Sequence, residues 1–154
     1  MKNGQGPRRG KRSKRGLPRL RLDHVGIAVP DLAEARRRYE KILRAPASPV
    51  EEVPSERVKV SFFELGEARI ELLEGTAPES PIRKFLDSGR SGVHHLSIRI
   101  EGGDIGALFE ELSALGVPVI GDGPGPGSGN SRVFFIHPRA ADGVLIEFSS
   151  EETT

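Results

Sequence analysis

Two histidines and two glutamates carry the chemistry this sequence offers. His24 opens the run His-Val-Gly-Ile-Ala-Val, and His95 opens the similar run His-Leu-Ser-Ile-Arg-Ile, 71 residues later. Glu71 stands in Ile-Glu-Leu and Glu147 in Ile-Glu-Phe, 76 residues later. Two such matches in the same order mark an internal repeat. If a pseudo-two-fold relation brings the halves together, the four polar groups converge. Two imidazoles and two carboxylates suit a divalent transition ion such as Co, Ni, Zn, Mn or Fe(II). The chain has no cysteine, so thiolate metal sites and disulfides are excluded, and a reducing cytoplasm is the natural setting.

The elements that must position these groups are legible from periodicity. Residues 19–29 alternate as a strand, with Val25, Ile27 and Val29 on one face and His24, Gly26 and Ala28 on the other. Asp31 suits a helix N-cap with Glu34 three residues on, predicting a helix from Leu32 to about Leu43 whose apolar stripe is Leu32, Ala35, Tyr39 and Ile42. Strands at Val58–Leu65 and Ala68–Leu73 follow, with a tight turn at Gly66-Glu67. Ser80-Pro81 opens a short connector helix over about 80–89. The pattern then restarts: a strand from Val93, a helix capped by Asp104, and strands at Arg132–Ile136 and Gly143–Phe148, with a further strand open at Val117–Ile120. The expected fold is α+β, two pseudo-symmetric β-α-β-β(-β) modules (about 19–76 and 92–150) in one domain over residues 19–150. The aliphatic faces pack under the helices and the four polar groups share the opposite, concave side.

The charge balance is uneven. Nine Lys and Arg and no acidic residue lie between Met1 and Leu22, which leaves 14 basic against 22 acidic residues in the rest of the 154-residue chain. Met1–Pro18 reads as a disordered basic arm, a solvated tail rather than a nucleic-acid contact. No apolar run approaches a membrane span. The Gly/Pro run at 121–131 lacks the Lys-Ser/Thr ending of a P-loop, and its prolines remove donors, so it reads as a flexible loop at the rim of the cup. Strand alternation points His94 away from His95, into the packed face; His137 before Pro138 reads as a turn residue.

Taken together, Leu22-Asp-His-Val-Gly-Ile-Ala-Val-Pro-Asp-Leu, Ile70-Glu-Leu-Leu-Glu, Ser80-Pro-Ile, Gly92-Val-His-His-Leu-Ser and His137-Pro-Arg…Gly143-Val-Leu-Ile-Glu-Phe span residues 22–148. In these segments the chain resembles the vicinal oxygen chelate superfamily of glyoxalases, bleomycin resistance proteins and dioxygenases, and within it the methylmalonyl-CoA epimerase family. The resemblance implies a cup-shaped sheet and metal ligation by His24, His95 and Glu147. Glu71 takes the fourth place, as a ligand or through water. It implies an isomerase that interconverts (2R)- and (2S)-methylmalonyl-CoA by α-proton transfer, with the enolate charge stabilised by the ion. Glu147 is then a catalytic base; a second is not placed, since Lys59 stands in the stretch around 58–61. The implied cofactor is a divalent ion, cobalt first, then manganese, nickel or zinc. The implied partners are an acyl-CoA substrate and a second copy in a homodimer; apart from that resemblance, the sequence offers no membrane span, and the basic arm is its one feature toward nucleic acid. A glyoxalase-type lyase or another enzyme of the superfamily is the alternative, followed by a metal-free ligand-binding module.

Overall fold

The computed structural model describes residues 18–151. Its first module runs β1 (Arg19–Ala28), α1 (Leu32–Leu43), β2 (Glu51–Val53), β3 (Val58–Leu65) and β4 (Ala68–Gly75). After the connector α2 (Pro81–Asp87) come β5 (Gly92–Glu101), α3 (Ile105–Ala114), β6 (Val119–Pro126), β7 (Ser131–Ile136) and β8 (Leu145–Glu151). Capping fixes the helix starts. The Asp31 side chain accepts from the Glu34 amide at 2.8 Å, Asp104 accepts from Gly106 at 2.8 Å, and Ser80 Oγ accepts from Ile82 at 3.3 Å. Among the described residues, no helix is long and apolar enough to cross a membrane. The proposed basic arm lies outside the described residues except for Pro18, which is half-buried beside Gly103.

All eight strands form one sheet in the order β2-β3-β4-β1-β5-β8-β7-β6. The antiparallel pair β1·β5 is its centre; β4 runs parallel to β1 and β8 parallel to β5, so each half repeats the other about that seam. The sheet curls until its far edges meet: the Gly129 amide in the β6–β7 turn donates to Glu51 on β2. Two bulges interrupt the seam. Asp23 is the extra residue between the pairs Leu22↔Ile98 and His24↔Ser97, and His94 is the extra residue between Gly26↔His95 and Ile27↔Val93.

The structure differs from the sequence expectation at several points. The edge strand β2 carries too few residues to show a period. The Gly/Pro run expected as a loop is mostly strand β6, paired at Ile120↔Phe135, Gly125↔Val133 and Pro126↔Arg132. An edge strand tolerates prolines, because only one side of it must supply ladder donors. The last strand starts at Leu145, after a turn through Gly143, and reaches Glu151.

Helix α1 packs Leu32, Ala35, Tyr39 and Leu43 against Val29, Phe63 and Leu72 on the convex face. Ile42, placed in the stripe from sequence, is 64 % exposed, because Leu43 lies four residues after Tyr39 and takes that position. Helix α3 packs on Ile100, Phe134 and Ile136 in the second module. The concave side of module one is also apolar: Val58, Val60, Phe62 and Leu73 gather there against Ile82 of α2. Phe63, 0 % exposed and 6.2 Å from the Tyr39 ring, anchors α1. Phe63→Ala is expected to cost about 3–5 kcal/mol in urea unfolding. A loss below about 1 kcal/mol would show that α1 does not depend on this contact.

Candidate functional site

Two rows of residues cross the centre of the cup. In the first, Arg69 on β4, His24 on β1, Ser97 on β5 and Glu147 on β8 are register partners in turn. In the second they are Glu71, Gly26, His95 and Leu145. Each ligand-type residue therefore neighbours a small one, Gly26 or Ser97, and leans over it. A Cβ on Gly26 would lie 2.2 Å from Cε1 of His95, so the His95 ring can occupy its place only above a glycine. Ser97 is the repeat counterpart of Gly26; its hydroxyl donates to Glu147 Oε1 at 2.7 Å.

All four residues singled out from the sequence meet here, each under 10 % exposed. His24 Nε2 lies 3.1 Å from His95 Nε2 and 3.2 Å from Glu71 Oε2, and His95 Nε2 lies 3.4 Å from the same oxygen. Among the described residues, His24, Glu71 and His95 form a group whose donor atoms lie within 4.8 Å of one another. Glu147 Oε1 stands at 3.7 Å from His24 Nε2, held back by Ser97.

This geometry fits a divalent ion. Donors bound about 2.0–2.2 Å from one ion are separated by about 3.0–3.5 Å, and the three edges measured here lie in that range. Two neutral imidazoles directing lone pairs at each other across 3.1 Å repel unless a proton or a cation lies between them. The titration of the group says the same. Burial alone would lower His24, but Asp23, Glu71 and Glu147 outweigh it and raise its pKa to about 9. Burial alone would raise Glu71, but His24 and His95 hold it down at about 2. The carboxylates around His24 therefore favour a positive charge among them.

Three further residues belong to the site that sequence reasoning did not place in it. Asp23, buried at 4 % exposure, accepts from His24 Nδ1 at 2.8 Å and from Arg99 Nε at 2.7 Å, and pairs with Arg69. These partners hold its carboxyl well below the ordinary range despite burial. Its bulge, which breaks the strand alternation, has no signature in composition. His94, expected in the packed face, instead has its Nδ1 3.0 Å from His95 Nδ1 and its ring against Phe85 of α2. The bulge at His94 is again the cause. Burial and the neighbouring His95 lower its pKa to about 4. Glu56, in the turn between β2 and β3, lines the same cavity. Burial, reinforced by the charges of Glu147 and Glu71, raises its carboxyl to about 7. His137 caps the turn at Pro138 by accepting from the Arg139 amide at 3.1 Å, as its sequence context suggests.

The cavity over this group measures about 1390 Å³ and is open to solvent. Glu56 and Arg57 of module one and Ser128–Asn130 of module two both contribute to its walls, and Val58, Val60, Phe62 and Leu73 make one side apolar.

Residues 23–135 match the family described as Glyoxalase/Bleomycin resistance protein/Dioxygenase superfamily. The ethylmalonyl-CoA/methylmalonyl-CoA epimerase of Cereibacter sphaeroides is 38% identical over 129 residues, which cover 82% of this chain and 95% of that protein. The crystal structure of methylmalonyl-CoA epimerase from Mycobacterium tuberculosis superposes with a TM-score of 0.79 at 34% identity, covering 86% of this chain and 88% of the other. A Streptomyces coelicolor methylmalonyl-CoA epimerase variant in complex with 2-nitronate-propionyl-CoA superposes with a TM-score of 0.79 at 29% identity, covering 86% and 95%.

A group whose folded pKa is raised stabilises the fold fully below its unfolded value and loses that contribution as pH rises through the folded one. For His24 that window runs from 6.5 to about 9. In chelator, the urea midpoint of the wild type should therefore fall across this window, and fall less in His24→Gln. Equal pH dependence in the two proteins would contradict the assignment.

Proposed function

The chain belongs to the glyoxalase/bleomycin resistance protein/dioxygenase superfamily, and on that premise we propose that it is an isomerase that epimerises the α-carbon of 2-methylmalonyl-CoA. The observation that carries this reading is one cavity holding two different acid–base environments. A cation-seeking group is formed by His24, Glu71, His95 and Glu147, and a separate carboxylate, Glu56, is raised to about 7. The named relatives support it, since they are epimerases of methylmalonyl-CoA and, in one case, of ethylmalonyl-CoA as well.

His24, His95 and Glu147 would hold the ion, with Glu71 as the fourth donor. Cobalt is the first choice, with manganese, nickel or zinc as alternatives. When bound, the ion supplies Lewis-acid stabilisation of the negative charge that develops on the substrate's thioester oxygen. The chain's own residues do the rest. The α-proton lies between a thioester and a carboxylate, and epimerisation requires its removal on one face and its return on the other. Glu147 comes from β8 in module two and Glu56 from the β2–β3 turn in module one, so the two bases reach the cavity from opposite modules. A carboxyl near pKa 7 is matched to proton exchange at neutral pH, where both its forms are populated. Ser97 fixes one oxygen of Glu147. The apolar wall of Val58, Val60, Phe62 and Leu73 excludes water from the side where the alkyl group would rest.

The test is deuterium wash-in. With methylmalonyl-CoA in deuterated water, metal-loaded protein should exchange the C2 proton without consuming substrate. Glu56→Gln and Glu147→Gln should each slow epimerisation by about 10²-fold or more, the usual contribution of a general base. Protein that exchanges no α-deuterium yet isomerises a glutathione hemithioacetal would replace this reading with a glyoxalase.

A further inference from the structure

The residue before each site histidine is the extra residue of a β-bulge. Asp23 precedes His24 on β1, and His94 precedes His95 on β5. The two bulge residues are related by the same 71-residue offset as the histidines themselves, so they are repeat counterparts. Each also does the same thing. Asp23 Oδ2 lies 2.8 Å from His24 Nδ1, and His94 Nδ1 lies 3.0 Å from His95 Nδ1. In a regular strand these side chains would point to the opposite face; the bulge re-aims each beside its neighbour's ring.

We propose that His94 is a positioning residue for metal binding: its unprotonated Nδ1 accepts the Nδ1–H of His95 and so directs the His95 Nε2 lone pair into the metal group. The inference rests on the metal reading given above. His95 faces His24 and Glu71 through Nε2, so as an ion ligand it must carry its proton on Nδ1. The nitrogen 3.0 Å away must then be bare, which places the proton of His94 on Nε2. The ring of His94 is held for this task by Phe85, edge-on at 5.0 Å, and Arg90 covers the Phe85 ring at 4.6 Å. The His95 ring is held from below by the absence of a side chain at Gly26. The duplicated site therefore supports its two histidines with unlike acceptors. The one behind His24 is anionic and clamped by Arg69 and Arg99; the one behind His95 is neutral and tied to the connector helix α2.

Two variants separate the acceptor from the ring. His94→Phe keeps an aromatic ring against Phe85 but has no acceptor. His94→Asn keeps an oxygen at the position of Nδ1. Titrating Co²⁺ into metal-free full-length protein, with a competing chelator, should show His94→Phe weakened by about 10–100-fold and His94→Asn within about threefold of wild type. Equal affinity in wild type and His94→Phe, or the same loss in both variants, would overturn the role of His94. A wild type that takes up no Co²⁺ would overturn the metal reading as well. A second measurement needs no variant: ¹⁵N spectra of the Zn²⁺-loaded wild type should show His94 protonated on Nε2, and protonation on Nδ1 would refute the proposal.

Discussion

Two buried imidazole nitrogens 3.1 Å apart, one from each half of a duplicated chain, are the contact on which the remaining structure depends. Strands β1 and β5 must run antiparallel and adjacent to bring them together. With β1 and β5 at the centre, β4 and β8 become their flanking neighbours and deliver Glu71 and Glu147. The small residues Gly26 and Ser97 follow from the same constraint, since each ring or carboxylate leans over the strand position beside it. Helices α1 and α3 with the convex core bury the backs of these strands, and the cup's interior is shared by the polar group and the apolar wall of module one.

Burying so many ionisable groups is costly unless each finds a partner. Their arrangement meets that cost in two layers. The inner layer, His24, Glu71, His95 and Glu147, lacks only a positive charge at its middle, which a proton on His24 or an ion provides. The outer layer balances itself: Asp23 takes His24, Arg69 and Arg99, and Arg99 also reaches Glu151. Arg69 in turn lies over the Phe62 ring at 4.3 Å, and that ring meets His24 edge-on at 5.8 Å. The orientation of His24 is thereby tied to residues on β1, β3, β4 and β5 together. Glu56 stands outside both layers; burial and the charges of Glu147 and Glu71 raise it to about 7 against the opposing pull of His95 and His24.

Much of this was legible in the sequence because the repeat made it so. His24 and His95 could be paired by their shared flanking pattern, and Glu71 and Glu147 likewise, so the convergence of four side chains followed from the duplication. The α1 boundaries followed from Asp31 and the apolar period. What could not be read has a common physical origin. Strand alternation assumes an unbroken ladder, and both Asp23 and His94 sit where the ladder carries an extra residue. Glu56 lies in a turn, where no periodicity says which way a side chain points; only the fold of β2 against β3 carries it over the cavity. The Gly/Pro run read as a loop because its composition is a loop's, yet pairing with β7 makes most of it an edge strand.

The central claim, that four side chains from two repeats form one ion site, is tested most directly by anomalous diffraction from crystals of the full-length protein grown with Co²⁺. One anomalous peak is expected at the centre of His24 Nε2, His95 Nε2, Glu71 and Glu147, with each donor about 2.0–2.3 Å away. A map with no peak there, or with its strongest peak away from the two histidines, would contradict the account.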